Sequence, residues 1–130
     1  MARLLIIEDD QPLRAVLASA LEQAGHVVLQ AEEGREGCAL LTTCPCDLVI
    51  TDLIMPGQEG IETIMQLRQR HPGLPVIAMS GGSHYANSYL AIAAKLGVRS
   101  TLAKPFTTAE LFRAIDTALA AAPPAAAPSA

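Results

Sequence analysis

A chain of 130 residues with 51% hydrophobic side chains is sized for one domain with a real core. Aromatics make up only 3%, so Leu, Ile, Val and Ala must fill that core. The formal charge of −4 argues against nucleic-acid binding by this domain, and no apolar stretch reaches the length of a membrane span.

Met1-Ala2-Arg3-Leu4 enters a strand-like run without a cleavage-site pattern, so no signal peptide is read. The three cysteines, Cys38, Cys44 and Cys46, are an odd number without a secretion signal, which predicts reduced thiols and a cytoplasmic protein. Cys44-Pro45-Cys46 has the spacing of half a metal site, but no second Cys or His pair completes it. It reads as a turn at a helix end.

Arg3 to Ile7 is a continuous apolar run after one charge, the pattern of a strand covered on both faces. Asp10 offers an N-cap and Pro12 suits the first helical turn. Leu13, Val16, Leu17, Ala20 and Leu21 then repeat at helical spacing, and Gly25 closes the helix. His26 to Ala31 reads as a second strand, Glu36 to Thr43 as a short helix, and Asp47 to Thr51 as a third, strongly β-branched strand. Pro56, Gly57 and Gly60 mark a loop before a helix that carries Ile61, Ile64, Met65 and Leu67 and stops at His71-Pro72-Gly73. Pro75 to Ser80 is a fourth strand, ended by Gly81-Gly82-Ser83. Tyr85, Tyr89, Ile92 and Leu96 make the next helical stripe, closed by Gly97; Val98 to Ala103 is the fifth strand. Thr107 or Thr108 caps a last helix with Leu111, Ile115 and Leu119. Residues 1–121 thus alternate five strands with five helices, which predicts an α/β domain with a parallel sheet between two helical layers. Residues 122–130, APPAAAPSA, read as a disordered tail or the start of a linker.

The charged residues fall where strands meet loops. Glu8, Asp9 and Asp10 follow the first strand, Asp52 follows the third, Ser80 ends the fourth and Lys104 follows the fifth. Charges are costly in a core unless paired or metal-bound, and open α/β sheets bind ligands at this rim. Strands one and three are neighbours in doubly wound sheets, so Asp9 and Asp52 can converge. Like carboxylates in contact resist ionising together, a conflict that a divalent cation removes. An all-oxygen ligand set favours Mg²⁺ over zinc. Asp52 would be a nucleophile for a phosphoryl group, Lys104 would neutralise phosphoryl oxygens, and Ser80 could donate a hydroxyl hydrogen bond. Taken singly, each residue has an ordinary role as a cap, a solvated charge or a turn. Their joint occurrence at the ends of four strands points to phosphoryl transfer.

At these residues the chain resembles the receiver domains of two-component response regulators. The matching pieces are LLIIEDD at 4–10, LVITDLIMPGQEG at 48–60, VIAMSGG at 76–82 and LAKPF at 102–106, in an order that covers essentially residues 3–121. The resemblance implies a flavodoxin-like sheet of order 2-1-3-4-5. It implies Asp52 as phosphoacceptor, Asp9 and Asp52 as Mg²⁺ ligands (Mn²⁺ being possible), Glu8 acting mainly through metal-bound water, and the Ile54 backbone carbonyl completing the shell. Ser80 takes the place of the switch hydroxyl, and Lys104 precedes a cis proline, Pro105. The implied partners are a sensor histidine kinase or histidine phosphotransfer protein, a downstream target or fused output domain, and a second copy in a phosphorylation-linked homodimer. The chain departs from the family pattern at three places. Thr101 stands at the second switch position, usually aromatic; the segment from Ser80 to Lys104 looks about two residues longer around residues 82–84; and Ile54 is apolar.

The leading reading is therefore a phosphorylation switch with intrinsic phosphotransfer and slow autodephosphorylation rather than an enzyme with a turned-over substrate. One rival, an aspartyl-phosphate phosphatase of the haloacid-dehalogenase type, would need a second Asp two residues after Asp52, where Ile54 stands. The other, a receiver-like binding module that takes no phosphate, is at odds with the intact Glu8, Asp9, Asp52, Ser80 and Lys104 set.

Overall fold

The structure, a computed structural model, describes residues 2–53, 60–81, 91–92 and 94–121. Its elements are β1 (Arg3–Ile7), α1 (Gln11–Gln23), β2 (Val27–Ala31), α2 (Gly34–Thr43), β3 (Leu48–Asp52), α3 (Gly60–Arg70), β4 (Val76–Ser80), β5 (Ser100–Ala103) and α4 (Thr108–Ala121). All strand pairs are parallel and the order is β2-β1-β3-β4-β5. This is the doubly wound, flavodoxin-like arrangement that the sequence pattern and the resemblance implied. The described residues hold four helices of the five expected. Of the helix expected around Tyr85 to Leu96, residues 91, 92, 94 and 95 are described and are helical. Tyr85 and Tyr89, like Ile54, Gly82 and the 122–130 tail, lie outside the described residues.

The central strands β3 and β4 are buried at every position, as continuous apolar runs covered on two faces should be. Alternation along the strands divides the interior in two. Leu4, Ile6, Leu48, Ile50, Ile77 and Met79 face α1 and α4, meeting Leu17, Leu21, Leu111 and Ile115. Leu5, Ile7, Val49, Val76 and Ala78 face the opposite way, meeting Cys38, Leu41, Ile64 and Leu67 of α2 and α3.

Local chemistry fixes the ends of the elements. The Asp10 side chain caps α1 by accepting from the Leu13 N–H at 3.1 Å. Gly25 follows that helix at φ 99°, a conformation that favours glycine. Thr107 and Glu110 form a reciprocal capping box at the start of α4: the Glu110 N–H donates to Thr107 Oγ1 at 3.0 Å, and the Thr107 N–H to Glu110 Oε1 at 2.8 Å.

Several expected boundaries shift. His26 stands before β2, where its Nδ1 accepts from the Ala2 N–H at 3.1 Å. Asp47 stands before β3, its carboxylate accepting from the Arg3 N–H at 2.8 Å. β3 instead runs through Asp52, which pairs with Met79. The helix expected from Glu36 starts at Gly34, and β5 starts at Ser100 rather than Val98. A larger correction concerns the phase of α1. Val16, placed on the apolar stripe by its hydrophobicity, is 61% exposed. The buried face is Arg14, Leu17, Ala18 and Leu21. That set follows the three- and four-residue spacing without a break, and Val16 does not fit it.

Candidate functional site

Parallel pairing aligns the carboxyl ends of the strands on one edge. Ile7 is opposite Thr51, Asp52 opposite Met79, and Ser80 opposite Ala103. Glu8 and Lys104 each follow the last residue of a strand, so Glu8, Asp52, Ser80 and Lys104 gather at one rim. Alternation also puts Glu8 in phase with Leu4 and Ile6, Asp52 with Leu48 and Ile50, and Lys104 with Leu102. The three charged side chains therefore leave the sheet on the same side.

They meet there. Lys104 Nζ donates to Glu8 Oε1 at 2.8 Å and lies 3.4 Å from Asp52 Oδ1. The other Glu8 carboxylate oxygen accepts from the Asp10 N–H at 3.1 Å. Carboxylate oxygens of Glu8, Asp9 and Asp52 all lie within 4.8 Å of one another. Glu8 and Asp52 are buried, whereas Asp9 is exposed. Three carboxylates against one ammonium leave a local excess of negative charge. The Asp52 carboxyl reflects it: burial, then the Glu8 charge and to a lesser degree Asp9, push it up to about 6 against the opposing pull of Lys104. Burial by itself would lower the Lys104 ammonium. Its hydrogen bond to Glu8 and the charge of Asp52 outweigh that, and it is held above the ordinary lysine value.

Ser80 completes the rim. Its side chain is fully buried, and its hydroxyl has no hydrogen-bond partner among the described residues. Buried hydroxyls are nearly always satisfied, so this one is placed for an acceptor outside the described residues. Close packing holds the neighbouring backbone. A Cβ on Gly60 would stand 2.3 Å from Leu53 Cα and 2.4 Å from the Asp52 carbonyl oxygen, and the Gly60 N–H donates to the Leu53 carbonyl at 3.1 Å. The chain leaving Asp52 is thus clamped against the start of α3. The Lys104–Pro105 peptide bond is cis.

Of the residues singled out from the sequence, Glu8, Asp9, Asp52, Ser80 and Lys104 are gathered at this rim. Ile54 is outside the described residues. Thr101 is exposed on β5, opposite Ala78 and two residue pairs down the strands from the Ser80–Ala103 pair. The sequence reading passed over Arg14 and took Gly60 only as a loop residue, whereas it is the first residue of α3. Arg14 is 7% exposed, and its Nη1 donates to the Glu8 backbone carbonyl at 2.7 Å. The signal for it was a cation at a stripe position of an amphipathic helix.

An acidic oxygen cluster of this kind suits a hard divalent cation, and the rim as a whole suits an anion with several oxygens. Known proteins resemble the chain in sequence and in fold. Residues 4–116 match the family model described as the response regulator receiver domain. The KDP operon transcriptional regulatory protein KdpE of Escherichia coli (strain K12) is 39% identical over 119 residues, covering 92% of this chain and 52% of that protein. The transcriptional regulatory protein GlrR of the same organism is 36% identical over 124 residues, covering 95% of this chain and 28% of that protein. The chain thus spans about half or less of the length of these relatives. Among solved structures, the receiver domain of NtrX from Brucella abortus superposes with a TM-score of 0.86 at 25% identity, covering 92% of this chain and 99% of that one. A response regulator receiver domain protein from Clostridium thermocellum gives 0.83 at 32% identity, covering 92% and 95%.

Proposed function

The chain belongs to the response regulator receiver family of two-component signalling, and within that family we propose that Asp52 accepts the phosphoryl group and so switches partner binding. One observation carries this reading: three carboxylates converge within 4.8 Å beside the ammonium of Lys104, at a rim where the buried hydroxyl of Ser80 has no partner among the described residues. The carboxylates suit a cation, and the ammonium and hydroxyl suit the oxygens of a phosphoryl group.

The donor is a phosphorylated histidine side chain on a sensor kinase or phosphotransfer protein. An Asp52 carboxylate oxygen attacks the phosphorus, the new O–P bond forms as the P–N bond breaks, and the imidazole leaves with the electron pair. A value of about 6 leaves Asp52 mostly ionised at neutral pH, as a nucleophile must be. Lys104 lies 3.4 Å from Asp52 and can shift part of its pairing from Glu8 to a phosphoryl oxygen. The Ser80 hydroxyl then gains the acceptor it lacks, which gives the switch its first movement. Thr101 is exposed on β5 at the second switch position and is too small to swing in behind Ser80 as an aromatic ring would. Asp9 and Asp52 would hold Mg²⁺, or Mn²⁺ in its place, with Glu8 acting through water and the Ile54 carbonyl as a further ligand. The ion would supply neutralisation of charge on the reacting oxygens. Slow intrinsic hydrolysis would reset the switch. The relatives named above are transcriptional regulators longer than this chain, which supports an output domain, fused or separate, as the reader of the switch. The three free thiols fit a cytoplasmic setting.

The test is intact mass after incubation with acetyl phosphate and Mg²⁺. Wild type should gain one phosphoryl group, and neither Asp52→Asn nor Asp9→Ala should gain any. Labelling of Asp52→Asn equal to wild type would remove Asp52 from the role of acceptor.

A further inference from the structure

Arg14 has no part in the chemistry just described, yet it is the most deeply buried cation among the described residues. Its guanidinium joins three elements. From α1, Nη1 donates to the Glu8 backbone carbonyl at 2.7 Å, Nε donates to Gln30 Oε1 on β2 at 3.3 Å, and Nη2 lies 4.0 Å from Glu32 just beyond β2. The Glu8 carbonyl is half of the peptide unit that leads into Asp9. The other groups of Glu8 are held from elsewhere: its N–H donates to the Ala31 carbonyl, and its carboxylate takes Lys104 and the Asp10 N–H. Arg14 therefore fixes the remaining group, the one that aims the backbone of the exposed Asp9 carboxylate.

Stability alone is a poor reason for a cation here. A buried guanidinium carries a large desolvation cost, which a good carboxylate partner would offset. Its only carboxylate contact among the described residues is with Glu32, at 4.0 Å and 70% exposed, and such pairs contribute little. A Met or Leu at this stripe position would pack against Leu17 and Ala18 without that cost. A positive charge beside a cation site also repels the cation. What Arg14 supplies that an apolar side chain cannot is the hydrogen bond to the Glu8 carbonyl.

We infer that Arg14 is a positioning residue for the cation site, holding the Glu8–Asp9 peptide so that the Asp9 carboxylate is pre-aimed at the ion. This rests on the reading of Glu8, Asp9 and Asp52 as a Mg²⁺ site. Partners that orient metal ligands from behind commonly change metal affinity by roughly 10–100-fold when removed.

Charge and position act in opposite directions, which makes the test sharp. If Arg14 acted through its charge, Arg14→Met would tighten Mg²⁺ binding. If it acts through position, Arg14→Met weakens it. The measurement is the Mg²⁺ Kd by titration calorimetry at fixed pH and ionic strength, with the Mg²⁺-induced shift in Tm as a second readout. Arg14→Met should raise Kd by about tenfold, at the low end of that range. Arg14→Lys keeps a donor and should recover most of the loss. Gln30→Ala, at an exposed position that tethers the guanidinium without threatening the fold, should weaken binding less but in the same direction. Leu17→Ala serves as the purely structural comparison: it should lower Tm with and without Mg²⁺ alike and leave Kd unchanged. If Arg14→Met proves too unstable to titrate, the Arg14→Lys and Gln30→Ala values decide the matter. Folded Arg14 variants with wild-type or tighter Kd overturn this inference alone. A wild type that binds no Mg²⁺ overturns the metal-site reading beneath it as well.

Discussion

The sharpest consequence of the acidic rim is that the protein should be more stable without the Asp52 carboxylate. In the metal-free fold the Asp52 carboxyl is raised from about 3.8 to about 6. A carboxyl that holds its proton more tightly in the folded chain than in the unfolded one destabilises the fold once ionised. The corresponding stability is present in full below the unfolded value, falls as pH rises between about 3.8 and about 6, and is absent above that window. At 1.36 kcal/mol per pH unit the loss approaches about 3 kcal/mol. Asp52→Asn keeps the shape and removes the titration. It also forfeits the attraction to Lys104, but that attraction is already counted within the shift, and Lys104 keeps its 2.8 Å partner Glu8. Allowing for imperfect accommodation of the amide, Asp52→Asn should be more stable than wild type at pH 7 by about 1–3 kcal/mol, or roughly 4 °C in Tm for each kcal/mol in a chain of this size. The assay is urea unfolding followed by circular dichroism from pH 4 to 8 in the presence of a chelator. The advantage of the variant should shrink toward zero at pH 4, where both side chains are neutral. A variant less stable than wild type at pH 7, or an advantage that does not change with pH, would refute the reasoning. Mg²⁺ should then narrow the gap at pH 7, because it binds the folded wild type and meets one carboxylate fewer in the variant.

Three further outcomes follow from the same geometry. Lys104→Met leaves Glu8 buried beside Asp52 without its ion-pair partner and should cost about 3 kcal/mol or more at pH 7 in the absence of metal, with a smaller cost at pH 4, read from the same unfolding curves. Gly60→Ala drives a methyl group into the Asp52–Leu53 backbone, so it should cost about 1–3 kcal/mol in unfolding experiments and also slow phosphoryl labelling, whereas Gly73→Ala, with open space at its Cβ, should do neither. Ile54→Asn puts a polar side chain two residues beyond Asp52, the proposed phosphoacceptor, where it could orient a water. The phosphoryl half-life measured by mass should shorten relative to wild type.

Much of the fold was legible because parallel sheets write themselves plainly. LLII at 4–7 and LVI at 48–50 are apolar at every position because both faces are covered, and helices of amphipathic period separate the strands. The boundaries that moved did so through contacts remote in sequence. Asp47 has the look of a strand residue until Arg3, 44 positions away, takes its carboxylate. Gly34 starts α2 at a point where a Cβ would collide with the Thr63 side chain, a constraint that belongs to another helix. Val16 illustrates a different failure. Hydrophobicity was allowed to set the phase of α1, although the spacing of Leu17, Ala18 and Leu21 puts residue 14 rather than residue 16 on the buried face.

At the site, the same alternation that sorts the core also sorts the chemistry, and this was open to inspection in the sequence. Counting by twos from Leu4 and Ile6 reaches Glu8, from Leu48 and Ile50 reaches Asp52, and from Leu102 reaches Lys104. Ser80 counts with Val76 and Ala78 and so approaches from the other side of the sheet. A group bound at the rim would therefore be held by two carboxylates and an ammonium from one face and met by a hydroxyl from the other. What alternation could not show is how the charge is apportioned. That Lys104 sits closer to Glu8 than to Asp52 depends on side-chain reach, and a glutamate at position 8 has one methylene more than an aspartate with which to meet it. The longer side chain draws the ammonium away from Asp52, so Lys104 offsets less of the rise that burial and the Glu8 charge impose on the Asp52 carboxyl, and the demand for an added cation is stronger.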